Sequence, residues 1–160
     1  MPNPVETFAA SLGDAEQKIL HASIAFALRV AAKADNVVDG KEQKTIAGLS
    51  GTIGERLGAA FANPPDSYAD AMKAAAHPDW PQGEYVLKLL DILKRMPEDA
   101  RKLFDGVLLE LAFSVACASG GVFGFGEKVS VEERYGLRRL VGTLRLRVDD
   151  PAMKKALGYD

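Results

Sequence analysis

The chain carries one helix–link–helix pattern twice. Ala34-Asp35-Asn36-Val37-Val38-Asp39-Gly40-Lys41-Glu42 leads out of one apolar segment into the next, and Ala118-Ser119 leads through a longer glycine-rich link into Val129-Ser130-Val131-Glu132-Glu133. Internal repetition restricts the folds open to a chain more than any single motif, because each copy must adopt the same supersecondary unit. The copies align without gaps. Val38 matches Val129, Asp39 matches Ser130 and Glu42 matches Glu133. Ile46, Leu49 and Ile53 then fall opposite Leu137, Leu140 and Leu144. Those spacings of three and four put one apolar stripe on each second helix.

The leading segments align as well: Ile19-Leu20 with Leu103-Phe104, Ile24 with Leu108, and Ala31-Ala32 with Val115-Ala116. Both are apolar on nearly every side, which predicts two central helices buried by their neighbours. Lys18, His21 and Arg29 interrupt the first, and Asp105 and Glu110 the second, so neither reads as a membrane span. Asp39-x-x-Glu42 and Ser130-x-x-Glu133 have the capping-box spacing, in which the first side chain accepts orphan N–H groups and the glutamate reaches back. No segment alternates apolar and polar residues far enough to predict a strand. The expectation is an all-α, single-domain helical bundle of about seven to eight helices in two pseudo-symmetric halves, with repeat units near 14–62 and 97–148.

Local signals set the remaining elements. Asp14-Ala15-Glu16-Gln17 predicts the start of a helix, by a further capping box, that runs to about residue 34. Residues 67–76 read as a short helix, and His77-Pro78-Asp79-Trp80-Pro81 as a rigid turn. An amphipathic helix is expected over 85–95, with Pro97 in the first turn of the next one. Ser130 should open a helix to about residue 146. Asp150-Pro151 supplies an N-cap and an N1 proline, and Gly158 a stop.

A length of 160 residues suffices for one real core. A net charge of −2 gives no overall attraction to nucleic acid. The C-terminal part is locally basic, with Arg134, Arg138, Arg139, Arg145, Arg147, Lys154 and Lys155, and this run reads as a solvated helix face. The one cysteine, Cys117, excludes an internal disulfide and reads as a buried thiol. Met1-Pro2-Asn3-Pro4 lacks a signal-peptide pattern, which makes the cytoplasm the expected compartment.

The acidic link places three carboxylates, Asp35, Asp39 and Glu42, within eight residues. An EF-hand fails, since its third and twelfth positions would be Val37 and Ile46. A simpler oxygen-ligand site for one calcium, magnesium or manganese ion stays open beside the capping role of Asp39 and Glu42. Asp35 is the strongest pointer to a cation, because capping leaves it unexplained at an expected helix C-terminus, where negative charge is disfavoured; a turn-forming role is the alternative. In the second link, Gly121 and Gly126 have Walker A spacing, but Glu127 stands where the lysine belongs. Phe123 and Phe125, set between glycines, either tuck onto the core or contact a partner protein or membrane. His21 and His77 lie in unrelated settings, and no nucleophile–base–orienter set can be assembled around them.

The pattern Ala34-Asp35-x-x-Val38-x-x-x-Glu42, with the partial copy ending Ser130-Val131-Glu132-Glu133, resembles the acidic links of the TerB-like family of tellurite-resistance proteins. The resemblance implies an all-α bundle of two pseudo-symmetric halves without established enzymatic activity. It also implies a proposed cation site at the acidic links, with Asp35, Asp39 and Glu42 as the matching positions. A bacterial, stress-linked role is implied too, in complexes with stress-response or membrane-associated proteins, cytoplasmic or peripheral to the inner membrane. Two positions depart from the family pattern: Asn36 stands where the family usually has glycine, and Ser119 with a glycine–phenylalanine insertion replaces the second acid. The alternative reading is a scaffold that docks a partner protein or anionic membrane through the Gly/Phe loop and the basic C-terminal face.

Overall fold

The computed structural model describes residues 3–32, 55–58, 61, 82–119 and 131–159. Six helices have both ends in these residues: α1 (Pro4–Ala10), α2 (Asp14–Ala32), α3 (Gln82–Arg95), α4 (Glu98–Ser119), α5 (Val131–Leu144) and α6 (Pro151–Leu157). Residues 55–57 are also helical, and no strand occurs among the described residues. The protein is an all-α bundle.

The two central helices are the two apolar ones, α2 and α4, and they pack most extensively on each other. Positions aligned between them share their burial. Ile19 and Leu103 are half-buried, Leu20 and Phe104 fully buried, and Ile24 and Leu108 buried. The helices that precede them cross over: α1 lies mainly on α4, and α3 lies on α2. α5 turns Leu137, Leu140 and Leu144 inward, all without exposed surface, and rests mainly on α2. The stripe predicted from spacing is therefore the buried face. The matching Ile46, Leu49 and Ile53, and most of the first unit's second helix, lie outside the described residues.

Side-chain caps position the short helices. Asp150 Oδ1 accepts from the N–H groups of Ala152 (2.8 Å) and Met153 (3.2 Å), with Pro151 at N1 as expected. α1, which spacing did not predict, begins the same way. Asn3 Oδ1 accepts from Val5 (2.9 Å) and Glu6 (3.2 Å), with Pro4 at N1. Asn3 Nδ2 also donates to the carbonyl of Arg56, which ties α1 to the 55–58 segment. Gly58, at φ +110°, lets that segment approach; a Cβ there would meet the Glu6 side chain at 3.2 Å.

Several boundaries differ from expectation. Asp14 is the first helical residue of α2 rather than its cap, and the Gln17 side chain donates to Leu12 O (2.9 Å) instead of reaching back. The capping box assigned to Asp14-x-x-Gln17 does not form. α3 starts three residues earlier than Tyr85, and Pro97 precedes α4, its carbonyl accepting from Arg101 N–H (2.8 Å). α5 stops at Leu144, not near 146. Arg145 takes a left-handed conformation (φ 53°), and Leu146 N–H returns to Val141 O (3.0 Å). That is a Schellman closure with arginine where glycine is usual.

Candidate functional site

Asp35, Asp39 and Glu42, the expected cation ligands, lie outside the described residues, as do Phe123, Phe125 and His77. Cys117 is in α4, with its side chain outside the described set. Among the described residues, no cluster of three or more His, Cys, Asp or Glu is placed to hold a metal ion. No described helix is long and apolar enough to cross a membrane.

Two buried titratable groups interrupt the central helices, and perturbed groups of this kind are where activity is first sought. Asp105 is 1% exposed. Its Oδ1 accepts from Arg101 Nε (2.8 Å) and its Oδ2 from the backbone N–H of Arg147 (2.9 Å). Burial raises its pKa, against the opposing pull of the Arg147 N–H and the Arg101 charge. Both oxygens are engaged in holding the chain, so Asp105 is a structural group rather than a base facing substrate. His21 occupies the aligned position of α2 and meets Phe61 edge-on, with centroids 4.6 Å apart. Burial lowers its pKa, favouring the neutral imidazole. Its surroundings are those of a core histidine, as its helix position suggested.

The basic C-terminal run divides by position. Arg147 pairs with Glu98 (3.2 Å), and Arg145 closes α5. Arg134, Arg138 and Arg139 are different. The 3.6-residue period that turns Leu137, Leu140, Val141 and Leu144 inward leaves these arginines exposed with Tyr135 on the opposite side of α5. Tyr135 is 72% exposed. Together the four line a recess of about 620 Å³. The end of α6 borders it. Gly158 adopts φ 81° beside the side chains of Arg134 and Arg138, and the Arg138 guanidinium carbon lies 5.2 Å from the centroid of the Tyr159 ring. Among the described residues no carboxylate pairs with Arg134, Arg138, Arg139 or Arg145, whereas Arg56 pairs with Glu110, Arg95 with Glu16 and Arg147 with Glu98.

This arrangement suits recognition of an oxyanion. Guanidinium groups donate in a planar fork that matches carboxylate and phosphate geometry, and an exposed ring adds a flat apolar contact. The arginines were legible as a basic run. Tyr135 and Tyr159 were not singled out, although Tyr135 and Arg139 stand four apart on one helix, a spacing that could have flagged the pair.

Searches against protein-family models, curated proteins and solved structures find no match to this chain.

Proposed function

We propose that the protein is a non-enzymatic, TerB-like helical binding module that docks an anionic partner on the outer face of α5. The observation that carries this reading is the convergence of Arg134, Arg138 and Arg139 with exposed Tyr135 on one recess, without carboxylate partners among the described residues. A positive patch on a protein of net charge −2 directs acidic surfaces to one place rather than attracting polyanions generally. The buried polar groups support a binding role over a catalytic one, since Asp105 and His21 are committed to packing. The test is capture of anionic probes by the full chain, comparing wild type with Arg134→Glu/Arg138→Glu. Loss of salt-sensitive binding in the variant supports the reading, and binding unchanged by charge reversal overturns it.

The family resemblance adds a second proposal, that the Asp35–Asp39–Glu42 link holds one hard divalent cation. Its support is the oxygen-ligand chemistry of those residues and the position of Asp35, three residues beyond the last described residue of the apolar helix α2. Calcium, magnesium and manganese titrations followed by backbone resonances of residues 35–42 test it, with Asp35→Asn as the control. Resonances unmoved at millimolar metal reject it.

A further inference from the structure

Resting on the docking reading above, we infer that the α5 recess recognises a phosphate monoester on a peptide segment, with Tyr159 as the positioning residue for Arg138. Arg134 and Arg138 are four residues apart on one helix, a spacing at which like charges repel. Arg139 adds a third positive charge to the same lining. A single carboxylate answers one guanidinium fork. A phosphoserine or phosphothreonine brings close to two negative charges and three acceptor oxygens on one tetrahedral centre, so it can accept from Arg134 and Arg138 together. Arginine clusters that read phosphorylated segments work on this basis.

Arg138 is held by a ring contact. Its guanidinium lies over the Tyr159 ring, and that ring follows the left-handed turn at Gly158, whose closure is fixed by Tyr159 N–H donating to Lys154 O (2.8 Å). Holding the guanidinium before the ligand arrives removes part of the ordering cost of binding. Tyr135 offers its exposed ring to the peptide beside the phosphate. A peptide fits this face better than an anionic bilayer does, because the arginines and Tyr135 line a recess that one phosphorylated side chain can enter, while the chain as a whole carries a net charge of −2. A long polyanion such as nucleic acid meets a protein whose net charge is negative.

The test uses the full chain and isothermal titration. The probes are an alanine-rich pentapeptide with one central phosphoserine, its serine and glutamate counterparts, and vesicles containing phosphatidylserine. The expected result is that the phosphopeptide binds at least about tenfold more tightly than either counterpart. Arg138→Gln should then weaken it by about tenfold or more, at an exposed position where folding is little affected. Tyr159→Leu should weaken it severalfold while Tyr159→Phe, which keeps a ring face for the cation, retains it. Equal binding of the phosphoserine and glutamate peptides overturns the phosphate assignment. So does vesicle binding that depends on Arg134 and Arg138 without phosphopeptide binding, an outcome that leaves the docking face itself standing. No binding of any probe removes both. Equal weakening by Tyr159→Phe and Tyr159→Leu overturns the positioning role.

Discussion

Asp105, in the first half of α4, accepts the backbone N–H of Arg147 at 2.9 Å, and so fixes the chain just beyond the end of α5. Arg101, one turn earlier on α4, completes the junction. Its Nε donates to Asp105 and its Nη2 to the carbonyls of Leu144 (2.9 Å) and Arg145 (3.0 Å), the orphan acceptors at the α5 terminus. A buried carboxylate, a largely buried guanidinium and a helix end thus satisfy one another.

Removing the carboxylate should be costly. Asp105→Ala leaves Arg101 and the Arg147 N–H without their acceptor, and a loss of about 3 kcal/mol is expected from urea unfolding, the scale for breaking a buried pair. Asp105→Asn keeps an acceptor and should lose less than half as much. Equal losses for the two variants would show that packing, not the polar junction, sets the cost.

Stability should respond to pH in two opposed ways. The His21 pKa is lowered by burial, so the unfolded chain binds the proton more readily, and stability should fall as pH drops below the ordinary histidine value of about 6.5. The Asp105 pKa is raised by burial, so its contribution is complete at low pH and is lost as pH climbs from about 3.9 through its folded value. In unfolding midpoints measured from pH 4 to 8, His21→Phe should flatten the rise through neutrality. Asp105→Asn should remove the fall on the acid side.

Asn3 carries two roles that substitution can separate. Asn3→Ala should cost about 1 kcal/mol for the lost cap, with a further increment for the lost tie to Arg56. Asn3→Asp retains the cap acceptor and gives up only the amide donation. Thermal melts that place Asp level with Ala would deny the cap its share.

At the end of α5, Arg145→Gly should stabilise the protein by about 0.5–1 kcal/mol. Glycine meets no steric penalty at φ 53°, though it adds freedom to the unfolded chain. α6 already closes with glycine in the equivalent place, Gly158 at φ 81°. A lower urea midpoint in the variant would mean that the arginine side chain contributes more than its backbone strain costs.

Reading the chain alone located the apolar central helices, the inward stripe of Leu137, Leu140 and Leu144, and the Asp150-Pro151 start and Gly158 stop of α6. Each is a local matter of periodicity or capping. Asn3-Pro4 has the same cap-and-proline grammar as Asp150-Pro151, so the start of α1 is legible in its residues too. No glycine marks the end of α5; its closure depends on an arginine adopting the left-handed form while Arg101 holds the carbonyls of Leu144 and Arg145 and Asp105 the N–H of Arg147. The acidic link and the Phe123/Phe125 loop stood out by composition and fall outside the described residues.

Residue order alone determined that the chain forms helices and which face of α5 turns inward, because helical periodicity and end-capping act over a few neighbours. Only the tertiary structure decided that Asp105 meets Arg147 across 42 positions, and that Tyr159 from the last turn reaches Arg138 on α5. Such meetings follow from how the packed helices bring distant segments together, and charge or aromatic character shows what a side chain can bind, not which partner the fold sets beside it.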